Sequence, residues 1–131
     1  MNHKDLNVWK ESMKLVKDVY LSLKSYSSHE QFGLCSQMRR SAVSIPSNIA
    51  EGAGRDNDKE NLRFCYIAQG SLAELETQVL LSADLGYLKS KTVLLNQITI
   101  VQKLLSGYIR HLQSKNQTLI TNHYSQVTKN K

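Results

Sequence analysis

The chain has 131 residues, 17 Lys and Arg against 11 Asp and Glu, a formal net charge of +6 and a hydrophobic fraction of 40%. This length suits one domain with a single core and excludes two full-size domains, while one proline and six glycines favour an all-α protein. No apolar run approaches the roughly 20 residues of a membrane span, and the amino-terminal residues lack a signal-peptide core, so we expect a cytoplasmic protein.

The first predicted helix runs from about Leu6 to Ser25. Its apolar residues recur at alternating steps of three and four, as on one face of a helix: Leu6, Trp9, Met13, Val16, Tyr20 and Leu23. The lysines lie off this face, which fits a solvated surface and, alternatively, a nucleic-acid contact. Turn-forming residues follow at 25–31, where Ser28 and Gln31 have the spacing of a capping box.

The second predicted helix runs from near Phe32 to about Ala53. Its apolar face contains the only proline, Pro46, which lacks the N–H that the carbonyl of Ala42 would accept. We therefore expect a helix kinked at Pro46. Short polar side chains next to the proline are suited to hydrogen-bond the freed backbone; they are Ser44, Ser47 and Asn48.

The third predicted helix follows a break at residues 52–58, with Asn57 and Glu60 spaced to cap it. Two neighbouring stripes of apolar and small residues run along it, which indicates a nearly central helix. The stripes are Leu62, Cys65, Gln69, Leu72, Glu76, Val79 and Ala83, and Phe64, Ala68, Ser71, Leu75 and Ser82. Polar groups inside a stripe require partners, and we expect Arg39 or Arg40 to pair with Glu74 or Glu76.

The fourth predicted helix follows a glycine stop at Gly86 and a cap at Ser90. Its apolar residues again alternate at four and three: Leu94, Ile98, Val101, Leu105, Tyr108 and Leu112. The third and fourth helices therefore carry more apolar surface than the core of one bundle can bury, which indicates that the protein self-associates. We therefore predict an up-and-down four-helix bundle over residues 1–115 and a frayed or disordered polar tail over residues 116–131.

Three stretches of the chain resemble one small bacterial family, within a similarity that runs from about Leu6 to about Leu112. They are Phe32-Gly33-Leu34 through Arg55, Gly70-Ser71-Leu72-Ala73-Glu74-Leu75-Glu76-Thr77-Gln78, and Leu85-Gly86-Tyr87-Leu88. The family comprises four-helix-bundle proteins encoded in intervening sequences of large-subunit ribosomal RNA genes, and it shares its architecture with accessory proteins of diversity-generating retroelements. The resemblance implies a homopentameric bundle with a suspected nucleic-acid role and no established reaction.

Residues typical of catalysis or metal binding are not combined at any recognisable spacing, so we expect no enzyme, cofactor or metal. Cys35 and Cys65, which lie 30 residues apart, fit buried reduced thiols. Gly52-x-Gly54 before a helix start fits a helix-to-helix turn or, alternatively, a phosphate site.

The candidate nucleic-acid site is a basic face that contacts the RNA or DNA backbone. It comprises Arg39, Arg40, Arg55, Lys103 and Arg110. Asn48, Glu51, Glu74 and Glu76 form a polar motif that we interpret as structural. The alternative is a protein-interaction scaffold in which these Arg and Glu residues serve contacts between subunits.

Overall fold

The computed structural model describes the backbone of residues 2–129 and the side chains of residues 2–116. The described backbone forms four α-helices: α1 Asn7–Leu23, α2 Leu34–Ala53, α3 Asp58–Asp84 and α4 Thr92–Lys129. Short 3-10 turns lie at His3–Asp5 and Ser28–Glu30. The predicted all-α four-helix bundle is confirmed. None of the helices in the described part combines the length and the hydropathy needed to cross a bilayer.

The four helices form a ring in which α1 packs against α2 and α4, and α3 packs against α2 and α4. Helices α2 and α3 run antiparallel, since Ser41 near the start of α2 donates to Gln78 near the end of α3 (2.7 Å). Ser44 and Ser71 join the same two helices (2.8 Å). Helices α2 and α4 therefore lie diagonally opposite each other, on two sides of the core.

The core seam of α1 differs from the prediction. Its buried residues are Val8, Ser12, Leu15, Val19 and Leu23. Of the predicted stripe, Leu23 is buried and Leu6, Trp9 and Val16 pack against the core, whereas Met13 and Tyr20 remain 45% and 42% exposed. Both stripes have helical spacing, and only the position of the neighbouring helices decides which of them is buried. The α4 seam is confirmed, with Leu94, Ile98, Val101, Leu105 and Leu112 buried and Tyr108 packed against the core.

Two of the predicted helix ends are confirmed. The side chain of Asn57 accepts from the backbone N–H of Glu60 (2.8 Å) at the start of α3. At its end, Gly86 has φ +82°, and the N–H of Tyr87 donates to the carbonyl of Ser82 (2.9 Å), as in a Schellman motif. Gly86 therefore provides the left-handed conformation that stops α3.

The start of α2 differs from the capping box predicted at Ser28 and Gln31. The helix begins at Leu34, and the carboxylate of Glu30 accepts from the Leu34 N–H (3.3 Å). Gln31 instead donates to the carbonyls of Leu23 (3.2 Å) and Tyr26 (3.3 Å). The side chain of Gln31 thus holds the end of α1, and the cap of α2 comes from its neighbour.

Pro46 lies inside α2 and is buried. Asn48 donates to the carbonyl (2.8 Å) and the hydroxyl (2.9 Å) of Ser44. It therefore does not reach the carbonyl of Ala42, which Pro46 leaves without its usual donor. The kink itself stays a prediction.

Helix α4 extends across the boundary predicted at residues 115 and 116, as far as Lys129. The side chains of residues 117–131 lie outside the described residues. The division into a bundle and a polar tail stays a prediction.

Candidate nucleic-acid interface

Charge is divided between the two halves of the bundle. Helices α1 and α4 together carry seven basic and two acidic residues, a net charge of +5. Helices α2 and α3 carry four basic and six acidic residues, a net charge of −2. Because α1 packs against α4 and α2 packs against α3, each sign of charge is concentrated on one side of the molecule.

Helix α4 supplies cations with no acidic residue along its whole length. Lys103 and Arg110 are exposed and seven residues apart, which places them on the same face, about 10.5 Å apart along the axis. Within the described residues neither forms an ion pair. These two side chains are free to contact an anion from outside.

Helix α1 adds a row of exposed lysines to the same side of the bundle. Lys10, Lys17 and Lys24 recur every seven residues and form no ion pair within the described part of the chain. A groove of about 560 Å³ separates the two helices, with Lys103 on its α4 side and Glu11 on its α1 side. We call the outer surface of these two helices, with the exposed α1 lysines and the exposed α4 cations, the α1–α4 face.

The three predicted arginines near α2 have partners within the chain. Arg39 is half-buried and donates through Nη2 to the carbonyl of Gln31 (2.9 Å). Arg40 pairs with Glu74 of α3 (2.9 Å), which confirms one of the predicted Arg–Glu pairs. Arg55 just past the end of α2 pairs with Glu51 (2.7 Å).

Arg55 also takes part in a second contact at the α2–α3 turn. Its Cζ lies 4.9 Å from the centre of the Phe64 ring, and the Cζ of Arg63 lies 4.5 Å from it. Two guanidinium groups therefore contact one nearly buried aromatic ring, in cation–π geometry. Arg63 in turn pairs with Glu60 (3.1 Å).

The structure does not bring the five predicted basic residues together on one face. Lys103 and Arg110 share the outer face of α4, whereas Arg39 and Arg40 belong to α2 on the far side of the core. The basic residues in the same half of the bundle as the α4 pair are the α1 lysines. Their seven-residue spacing was visible in the sequence, but the sequence did not show that α1 lies beside α4.

Each residue of the predicted structural polar motif forms a hydrogen bond or an ion pair within the chain. Glu74 accepts from Arg40 and from the side-chain amide of Gln78 (3.2 Å). Glu76 accepts from Gln102 of α4 (3.1 Å), so it joins α3 to α4. Glu51 pairs with Arg55, and Asn48 is bound to Ser44.

Both cysteines are free and buried. Burial raises the pKa of Cys65 to about 11, and burial is also the main cause that raises the pKa of Cys35. Reactive cysteines have low pKa values, so both thiols suit the core better than catalysis.

No group of three His, Cys, Asp or Glu residues is placed to hold a metal ion among the described side chains. In the α1–α2 loop, Ser27 Oγ lies 3.0 Å from Nδ1 of His29, and Nε2 of His29 lies 3.9 Å from a carboxylate oxygen of Glu30. Ser27 and His29 are exposed and two residues apart. These are local contacts within the loop, and they do not indicate a catalytic site.

The profile of the 23S rRNA-intervening sequence protein family matches residues 4–107 of the chain. The chain belongs to this family. The match covers α1, α2, α3 and the first part of α4, so it includes Lys103 and ends before Arg110. Both the charged halves of this 23S rRNA-intervening sequence protein and its core lie largely inside the matched residues. The family predicted from the sequence is confirmed.

A solved structure resembles this family member in fold. It is a protein of unknown function from the S23 ribosomal protein family of Bacteroides thetaiotaomicron, with a TM-score of 0.73 and 22% sequence identity. The alignment covers 84% of this chain and 99% of the other. No curated protein shows significant similarity to the sequence. The comparisons thus establish family and fold.

Proposed function

We propose that this protein is a non-enzymatic, self-associating helical bundle that binds the RNA or DNA backbone through its α1–α4 face. The observation that carries the proposal is the separation of charge, with +5 on α1 and α4 and −2 on α2 and α3. Free, buried thiols at Cys35 and Cys65 support the cytoplasmic location that such a role requires.

The physical basis is the release of counterions from phosphates. Each cation that neutralises a phosphate releases a condensed counterion, so affinity falls steeply with salt and depends little on base sequence. Lys103 and Arg110 form no ion pair among the described residues, in contrast to Arg40 and Arg55. A ring of copies, the homopentamer that the family resemblance implies, would repeat this face and strengthen binding to one polyanion.

Charge-matched variants test the proposal. We expect the double substitution Lys103→Ala and Arg110→Ala to weaken binding of labelled RNA and labelled duplex DNA. It should also reduce the magnitude of the negative slope of log affinity against log salt concentration, by about one for each lost phosphate contact. The measurement is fluorescence anisotropy at several salt concentrations. The double substitution Arg40→Ala and Arg55→Ala removes the same charge from the other half of the bundle and should leave the slope unchanged.

Equal losses in the two double variants would show that net charge acts without a defined face, and the α1–α4 interface would be wrong. No binding of the unmodified protein at low salt would remove nucleic acid altogether.

A protein-interaction scaffold is the second candidate, and exposed apolar side chains favour it. On α3, Tyr66, Ile67 and Leu81 are between 41% and 47% exposed. Between α1 and α2, Met13 and Val43 border a groove of about 350 Å³. Contiguous exposed apolar surface marks protein interfaces. The double substitution Lys103→Ala and Arg110→Ala separates the candidates: loss of RNA binding with intact assembly favours nucleic acid, and loss of assembly favours the scaffold.

A further inference from the structure

Two loops meet at one end of the bundle, where α1 ends, α2 begins, α3 ends and α4 begins. The ring of Tyr26 in the α1–α2 loop stacks on Tyr87 in the α3–α4 loop, with centres 5.7 Å apart. The hydroxyl of Tyr87 donates to the carboxylate of Glu30 (3.3 Å). Residues 24–33 and 85–91 therefore form one surface, which we call the loop end.

Phe32 projects from the loop end and is 94% exposed. The backbone on both sides of it is nevertheless fixed. Arg39 donates to the carbonyl of Gln31 (2.9 Å), the Gly33 N–H donates to the Glu30 carbonyl (3.1 Å), and Glu30 accepts from the Leu34 N–H. A firmly held loop thus presents a whole aromatic ring to solvent, in an arrangement that costs little conformational entropy when a flat partner binds.

The charge around Phe32 indicates the chemistry of that partner. Lys24, Lys89 and Lys91 are exposed at this end of the bundle. The acidic residues here are Glu30, which is half-buried and already accepts two hydrogen bonds, and Asp84. An exposed ring and unpaired lysines at the same end of the bundle match the combination of base stacking and phosphate contact in single-strand binding proteins.

A groove lies between the two loops, next to the end of α1. It has a volume of about 520 Å³, within the range of small-ligand sites. Its lining includes the serines at 22, 25, 27 and 90, together with Tyr87 and Lys89. Its hydroxyl groups and ammonium suit a phosphodiester, and Leu21 and Leu88 complete the lining.

We infer that the loop end receives an unpaired segment of nucleic acid, with a base stacked on Phe32 and a phosphate of the same strand in the groove at Lys89. The inference rests on the proposed function and deepens it, because it makes Phe32 the residue that distinguishes single strands from duplexes. The bases of a duplex are stacked on each other and have no free face for the ring. The α1–α4 face binds both forms, and the loop end adds affinity for the unpaired form only.

The test compares full-length protein and its variants on one labelled single-stranded RNA and on the same sequence paired with its complement. Phe32→Ala should weaken single-strand binding about tenfold, as expected for one lost stacking contact, and change duplex binding less than twofold. Phe32→Tyr keeps the ring and should bind as the unmodified protein does. Leu81→Ala removes an exposed apolar side chain of α3, 47% exposed and outside the loop end, and should have no effect on either RNA.

If Phe32→Ala leaves single-strand binding unchanged, or weakens both forms equally, the inference is wrong while backbone binding through the α1–α4 face still stands. If the unmodified protein binds neither RNA, both proposals fail together. A separate experiment measures binding to vesicles that contain anionic phospholipid. If Phe32→Ala abolishes binding to these vesicles and leaves RNA binding unaffected, the loop end is a membrane contact and the inference is wrong.

Discussion

Adjacent arginines perform different tasks in this protein. Side chains one residue apart on a helix point about 100° apart. Arg39 accordingly turns back to the loop before α2 and holds the carbonyl of Gln31, whereas Arg40 reaches across to Glu74 on α3. The exposed pair of Arg40 and Glu74 contributes little to stability. Arg39 matters more for the loop end, because it fixes the backbone next to Phe32.

At the residue scale, the pH dependence of stability reports on Cys65. Its pKa of about 11 in the fold lies above the ordinary value of 9.0, because burial disfavours the thiolate. The contribution of the protonated thiol is therefore complete below pH 9 and is lost as pH rises toward 11, since the unfolded chain ionises first. Between pH 8 and pH 10, we expect ionisation of this thiol to lower the free energy of unfolding by about 1 kcal/mol.

Urea unfolding at these two pH values, for the unmodified protein and for Cys65→Ala, measures this cost. The cavity in the variant lowers stability at both pH values alike, so only the difference in pH dependence counts. Parallel pH dependences in the two proteins would contradict the prediction.

At the scale of elements, the contact between α2 and α3 depends on Gly52. A Cβ there would lie 2.6 Å from Asn61 Oδ1 and 3.0 Å from both the Asn61 carbonyl and the Phe64 Cβ. Asn61 also donates to the hydroxyl of Tyr108 on α4 (2.9 Å). The close approach at Gly52 thus places a polar side chain where it joins three helices.

Substitution of Gly52 by Ala should destabilise the bundle. Part of the contact is backbone and must shift, and overpacking of this kind costs typically about 1–3 kcal/mol, more than the helix propensity gained by alanine. Gly70→Ala is the matched control, because a Cβ at Gly70 has no atom within 4 Å among the described contacts. That variant should be more stable by about 0.5–1 kcal/mol.

Chemical denaturation at one fixed protein concentration compares the two glycine variants. Equal shifts of the midpoint in the same direction would show that Gly52 acts through helix propensity alone.

At the scale of the whole molecule, the bundle leaves apolar side chains uncovered beside a groove between α1 and α2. Trp9, Met13 and Val16 line it from α1, and Val43 and the buried Pro46 line it from α2. The double apolar stripe of α1 explains the groove, since one stripe fills the core and the other borders α2. A second copy of the chain would cover this surface in the proposed oligomer.

Introducing a charge into the groove tests its role in assembly. Val43 is 40% exposed, so Val43→Glu is compatible with the fold but places a carboxylate in any apolar interface there. We expect the molar mass from light scattering to fall toward that of a single chain. Thr99→Glu introduces the same charge at an exposed position of α4 and should keep the assembly intact. An unchanged mass for Val43→Glu would place the contact between copies elsewhere.

The sequence by itself determined the local features of this protein. Four helices in order, the stop at Gly86 and the cap at Asn57 followed from spacing and residue type, because these depend on neighbours along the chain. The family followed from the resemblance of its motifs. The sequence indicated a pair of Arg39 or Arg40 with Glu74 or Glu76, and the structure selects Arg40 and Glu74. Only the tertiary structure decided that α1 lies beside α4 and that α2 lies diagonally opposite α4. Lys10, Lys17 and Lys24 are therefore in the same half of the bundle as Lys103 and Arg110, whereas Arg39 and Arg40 are in the other half. It also decided which stripe of α1 is buried and that Phe32 is exposed. Periodicity fixes directions around one helix axis, whereas the relative placement of helices depends on how all their side chains pack at once.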